Sequence, residues 1–427
     1  MKRALLLGPV LVVASLTARG GATAPASRVR AFVGARLFDG SGRPPVEKAV
    51  LVVEDGRFVA VGAEVAVPKG AERVDLAGRF VLPGLVNAHG HVGETRGLRA
   101  GPELYTRENV LDHLRLYARY GVTTVVSLGG DRDEGFRVRD EQQTASLDRA
   151  RLYVAGTVVD GATPEAARAQ VETVAAKKPD WVKIRVDDNL GTTPKMTPEV
   201  YGAVIEEAHR RRLRVAAHLF YLEDARGLLE AGADFLAHSV RDREVDPPFV
   251  AELKRRGTCL SPTLMREVST FVYAEEPDFF ADPFFLKAAD PAVVAELRTP
   301  ERRERMRASP AAARYREALK VASRNLKALS DAGVPVAMGT DSGPPARFQG
   351  YFEHRELQLM VEAGLTPAQA LFAATGGAAR CMGLADVGRI EPKAWADFLV
   401  LRSDPLADVR NTTTLESVWI AGQRLPD

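Results

Sequence analysis

The chain has 427 residues, 46% of them hydrophobic, enough to bury a large core and more than one domain. Its 58 basic and 56 acidic residues leave a net charge of +2, which points away from nucleic acid and from anionic membrane surfaces.

The first residues differ in kind from the rest. Met1, Lys2 and Arg3 form a short basic head, followed by ALLLGPVLVVASL, an apolar stretch too short to span a bilayer comfortably. Ala24-Pro25-Ala26 supplies an A-x-A cleavage signal before Ser27. Residues 1–26 therefore read as a signal peptide, with export to a bacterial periplasm and no membrane association after cleavage. From 27 to 82 the text is short alternating strands, AFVGARLFDGSG, AVLVVEDGRFVAVG and RVDLAGRFVLPG, punctuated by Asp39-Gly40 and Asp55-Gly56. The same style returns over 386–427, in GRIEPKAWADFLVLRSDPL and LESVWIAGQRL, so both chain ends are expected to build one small β-sandwich.

Between them, residues 83–385 alternate apolar strands with amphipathic stretches. Eight candidate strands are VLPGLVNAHGH, VTTVVSLGG, RLYVAG, WVKIRVD, LRVAAHLF, FLAHSV, CLSPTL and VAMGTD. Continuous Val/Leu/Ala runs of this kind suit buried parallel strands, and eight such units predict a (β/α)8 TIM barrel. A doubly wound open sheet is the competing fold, but no Gly-rich dinucleotide turn follows a first strand. An insert at about 265–331, rich in Phe, Pro and charge, is a lid over the barrel mouth or a helical decoration on the outside. Cys259 and Cys381 lie far apart and read as buried free thiols.

Alternate residues of a strand share a face, so His89 and His91 of NAHGH both point inward. Two imidazoles on one face can bind a metal ion or can be structural histidines satisfied by neighbours. Lys183 lies inside the apolar strand WVKIRVD, where an uncompensated ammonium is expensive. His218, His238 and Asp341 fall near the ends of LRVAAHLF, FLAHSV and VAMGTD. Titratable groups gathered at the C-terminal ends of barrel strands mark an active site, and a metal centre explains this set best.

Together, VLPGLVNAHGH, the strand-four lysine, the histidines on strands five and six, GTDSG, and GRIEPKAWADFLVLRSDPL resemble the amidohydrolase superfamily, in its imidazolonepropionase-like and prolidase-type branch. The resemblance covers nearly the whole chain after the leader. It implies two divalent metal ions, usually zinc. His89, His91 and Asp341 would hold the first, His218 and His238 the second, and Lys183, carboxylated by CO2, would bridge them. The mononuclear deaminases of the superfamily carry a glutamate three residues after the strand-five histidine, where this chain has Tyr221. The implied reaction is hydrolysis of an amide or cyclic amide of a small molecule by a metal-bridging hydroxide, with Asp341 as general acid/base. A lactonase or esterase on the same centre is the alternative, and a non-catalytic binding protein on a barrel scaffold is a third.

Arg185 is expected on the inward face beside Lys183, to grip a substrate carboxylate or to pair with a loop acid such as Asp187. Tyr221 and His354 are further candidates for substrate contact, against lid packing and an ordinary helix start. The loop GTVVDGATPEA looks shorter than in prolidase-type relatives, and GGDRDEGFRVRDEQQ is unusually charged, so both loops should shape a pocket of this chain's own. A homo-oligomer is compatible with this reading.

Overall fold

The computed structural model describes residues 29–426, and the expected leader at 1–26 lies outside them. Both chain ends contribute to one eight-stranded sheet. Its strands are β1 (Arg30–Leu37), β2 (Val46–Glu54), β3 (Arg57–Gly62), β4 (Glu72–Asp75) and β5 (Phe80–Pro83), completed from the far end by β15 (Phe398–Leu401), β16 (Leu415–Ile420) and β17 (Gln423–Arg424). β15 pairs antiparallel with β5, from Phe398 opposite Pro83 to Leu401 opposite Phe80, which joins the two ends. The alternating apolar residues of these strands, Phe32, Leu51, Phe58, Val81 and Phe398 among them, bury one shared core.

The middle of the chain is TIM-barrel-like α/β. After β6 (Leu85–Gly90) comes a small hairpin, β7 (Thr95–Arg96) and β8 (Arg99–Ala100). The parallel strands continue with β9 (Val122–Ser127), β10 (Arg151–Val154), β11 (Val182–Arg185), β12 (Val215–His218), β13 (Phe235–Leu236) and β14 (Cys259–Leu260). They pair in the orders β10-β9-β6 and β11-β12-β13-β14. Single parallel bridges, Val159 to Ile184, Leu260 to Val336 and Gly90 to Ser342, link these two sheets and residues 336–342 end to end. The expected eighth strand is therefore held by isolated bonds, such as Ala337 N to Leu260 O and Ala88 N to Met338 O, rather than by a regular ladder.

The Phe-rich half of the insert is packed on an apolar cluster of its own. Tyr273, Phe279, Phe280 and Phe285 cluster with Tyr120, Tyr351 and Phe352 of two outer helices. The insert then ends in a long helix, Pro310–Asp331, that buries Tyr315, Ala318, Ala322 and Leu326.

Cys259 and Cys381 are not free thiols. They form a disulfide, with Cα atoms 5.8 Å apart, tying β14 to the helix Gly376–Met382. A separation of 122 residues hides this pairing from any local pattern, and only the chain's closing turn brings the two positions together. A second long-range tie is the buried pair Arg151–Asp397, with an N–O distance of 2.6 Å, between β10 and the residue before β15.

Candidate metal centre

β6 delivers His89, and His91 follows directly after its last residue, at one end of the parallel strands. Gly90 between them is fixed by packing on the opposite face, where a Cβ would lie 2.7 Å from the Tyr117 hydroxyl and 2.9 Å from Asn87 Nδ2. His89, His91 and Asp341 bring one ligand atom each within 4.8 Å of one another. Asp341 itself adopts a left-handed backbone, φ 55°, in the turn after residues 336–340, and Gly343 beyond it packs so closely that a Cβ would sit 2.4 Å from the His91 carbonyl oxygen.

Lys183 of β11 reaches inward, with Nζ 3.5 Å from His89 Nε2. His218 ends β12, and His238 lies just past β13. The rings of His218 and His238 are 4.2 Å apart and those of His89 and His238 4.7 Å, so the second pair of histidines abuts the first group.

Hydrogen bonds fix how these imidazoles present their lone pairs. His89 Nδ1 donates to the Ala237 carbonyl at 2.8 Å and His91 Nδ1 to that of Gly129 at 3.0 Å, which leaves each Nε2 as an acceptor. Yet His91 Nε2 lies 2.9 Å from Asp341 Oδ1. A lone pair facing a carboxylate at that distance is repulsive unless the ring is protonated or a cation lies between them. His238 Nδ1 is occupied by the Thr263 hydroxyl at 2.7 Å, and its buried Nε2 has no hydrogen-bond partner. Leaving such a nitrogen unpaired costs about 1–3 kcal/mol. His218 Nε2 donates to Asp187 Oδ2 at 3.0 Å, which leaves the lone pair on Nδ1. The set therefore fits divalent ions: neutral nitrogen donors, their other nitrogens anchored, facing a carboxylate.

Electrostatics agree. Burial lowers the pKa of His89 and His238 well below the ordinary value and that of His218 to about 3, so all three are neutral. Burial also brings the Lys183 ammonium down to about 7, although Asp341 partly opposes this. Burial alone would raise the Asp341 carboxyl, but the Arg347 guanidinium and the adjoining His91 and His89 hold it well below the usual range.

Several further residues hold the site in place. Asp187 orients His218, and Arg347 Nη1 donates to Asp341 Oδ2 at 2.6 Å. Arg266, in the insert, brings Nε to 4.0 Å from the same oxygen. Glu353 is fully buried and accepts from Asn87, Thr340 and Ser342, which ties β6 to the turn bearing Asp341. Asp187 could have been suspected from WVKIRVD, as the next inward charge after Arg185.

The three proposed substrate contacts fare differently. Arg185 spends Nε on Asp187 at 3.2 Å, while its side chain is 46% exposed. Tyr221 gives its hydroxyl to Asp188 at 2.8 Å. His354 must be withdrawn. It is completely buried, with Nε2 on the Tyr120 carbonyl at 2.7 Å and Nδ1 on the Thr412 hydroxyl at 2.9 Å, so nothing of the ring is left for a substrate.

Comparison with known proteins supplies the remaining finding. The profile of the Amidohydrolase family matches residues 80–425. The imidazolonepropionase of Streptomyces griseus is 25% identical over 416 residues, 90% of this chain and 95% of that protein. An uncharacterized protein of Mycobacterium tuberculosis is 27% identical over 372 residues, 86% of this chain and 89% of its own. Among solved structures, a putative prolidase from Bifidobacterium longum superposes with a TM-score of 0.74 at 24% identity, covering 94% of this chain and 95% of that one. A Xaa-Pro dipeptidase with bound methionine superposes at 0.75 with 20% identity, covering 93% and 100%.

Proposed function

Because the chain belongs to the amidohydrolase family and is a hydrolase acting on carbon–nitrogen bonds, we propose that it is a binuclear metal-dependent enzyme on a (β/α)8 barrel that cleaves an amide, peptide-like or cyclic amide bond of a small molecule. In this reading His89, His91 and Asp341 would hold one divalent ion and His218 and His238 another, zinc being the expected metal, with Lys183, carboxylated, completing the ligand set. The observation that carries it is the 2.9 Å approach of the His91 Nε2 lone pair to Asp341 Oδ1, a contact that a shared cation would relieve. The unpartnered His238 Nε2 supports the second position.

Bound divalent ions would acidify a water to a pKa of about 7 and polarise the substrate carbonyl. The remaining tasks fall to this chain's own groups. Lys183, with a pKa near 7, is substantially a neutral amine at neutral pH. That amine can add CO2, forming an N–C bond and releasing a proton, and the resulting buried anion would be offset by the divalent ions beside it. Asp341 is assigned the proton transfers, taking the proton of the attacking water and returning it to the departing nitrogen. Arg347 holds Oδ2 meanwhile, so that Oδ1 faces the histidines. Arg185, half exposed, is assigned to a substrate carboxylate, and Tyr221 to a contact made by exchanging its bond with Asp188.

The deciding experiment is a panel of N-acyl amino acids, Xaa-Pro and Xaa-Arg dipeptides, cyclic amides and lactones. Amide turnover that a chelator abolishes and zinc restores is expected; turnover of lactones alone would overturn the carbon–nitrogen assignment of this site. We also propose export. The Cys259–Cys381 disulfide suits an oxidising compartment, and the mature chain is expected in the periplasmic fraction with Ser27 at its start.

A further inference from the structure

A cavity of about 140 Å³ lies between the helix Arg107–Arg119, the Phe-rich half of the insert and the loop after Asp341. Leu116, Phe285, Val293 and Phe348 give it apolar walls, and Arg347 and Gln349 are among its polar lining. None of the six proposed metal-site side chains lines it. A comparable apolar volume, about 150 Å³, is enough to hold a benzene ring.

Thr95, His113 and Asp290 also line it, and two of its polar residues, Arg347 and Gln349, brace the metal centre from behind. Arg347 Nη1 donates to Asp341 Oδ2 at 2.6 Å, and Gln349 Nε2 donates to the His91 carbonyl at 2.8 Å. Among the described residues, Nη1 is the one side-chain nitrogen of Arg347 that makes a hydrogen bond, and both of its acceptors belong to Asp341. A guanidinium with donors to spare, at the edge of a ring-sized apolar space, is complementary to a planar acid: the ring fills the walls and the carboxylate meets the fork.

We propose that this cavity binds a small aromatic carboxylate, apart from the metal centre, and that the bound acid draws Arg347 away from Asp341. Asp341 then loses the bond that fixes Oδ2, so the acid and the divalent ion each change the affinity of the other, reciprocally. The link to turnover rests on the proposed role of Asp341, whereas the binding itself does not.

The test is a titration of 4-fluorobenzoate into the full chain, followed by fluorine NMR, on both metal-loaded and chelator-treated protein. Saturable binding is expected in both states. Ala289→Trp, which puts an indole into the cavity, should weaken it by at least about tenfold while amide turnover without the probe is unchanged. Arg347→Met should weaken 4-fluorobenzoate by about tenfold, the loss of one charge-assisted hydrogen bond, and leave uncharged 4-fluorobenzyl alcohol unaffected. Binding that vanishes with the metal would locate the acid on the metal centre and overturn the proposal. So would binding indifferent to both substitutions, or no saturable binding. None of these results depends on which substrate the enzyme cleaves.

Discussion

Lys183→Met isolates the energetic cost of the metal centre. Lys183 is 4% exposed, and burial, only partly offset by Asp341, brings its pKa from 10.5 to about 7. A base whose pKa falls on folding gives up its proton earlier in the native state. Between pH 7 and 10.5 the unfolded chain therefore binds more protons, and stability rises with pH across that window. The full penalty is present below pH 7 and is gone above 10.5. At about 1.4 kcal/mol per unit, the metal-free protein bears about 4 kcal/mol of it at pH 7. Methionine matches the lysine stem in volume and carries no charge, so Lys183→Met should be more stable than the parent by about that amount. Urea denaturation of chelator-treated protein at pH 7 and at pH 10.5 measures the difference, which should shrink towards zero at the higher pH. With zinc and bicarbonate present the order should reverse, because the parent gains the greater binding energy. A variant no more stable than the parent at pH 7, or a gap that does not change with pH, would refute this argument.

Three further outcomes follow from particular contacts. Cys259→Ser opens a link spanning 122 residues and should cost about 2–5 kcal/mol; unreduced, denatured parent protein should show no thiol with Ellman's reagent, and two titratable thiols would contradict the disulfide. Arg151→Met strands the Asp397 carboxylate in a site 3% exposed and should cost about 3–5 kcal/mol in a denaturation experiment, with Asp397→Asn added to it recovering much of the loss. Asp341→Asn keeps an oxygen ligand but no proton acceptor, so amide turnover should fall by about a hundredfold or more with metal still bound; unchanged turnover would move the proton transfer elsewhere.

What could be read from the sequence was whatever a short period encodes. His89 and His91 sit one residue apart on a strand, so their shared face is legible, and Lys183 announces itself as a charge inside an apolar run. The β-rich ends were equally plain, and β5 and β15 do pair in one sheet. What was not legible depends on distant segments meeting. Cys259 and Cys381 become neighbours only when β14 and the helix at 376–382 are both in position. His354 looked available because its helix begins near Asp341, but its face is decided by Tyr120 and Thr412, far away in the chain. Arg266 and Arg347 gave no signal at all, since an arginine in a charged insert or a loop after a strand normally meets solvent. The eighth strand was recognisable by composition, yet the turn at Asp341 trades ladder bonds for the geometry of the site.

Everything turns on whether these histidines, the lysine and the aspartate trap ions, and metal stoichiometry decides it. Protein equilibrated with zinc and bicarbonate, desalted and measured by plasma mass spectrometry, should carry about two ions per chain. The count should drop in His89→Asn and in His238→Asn, and in parent protein prepared without bicarbonate. A chain that retains no zinc after this treatment, or one whose content is the same in all four samples, would contradict the account.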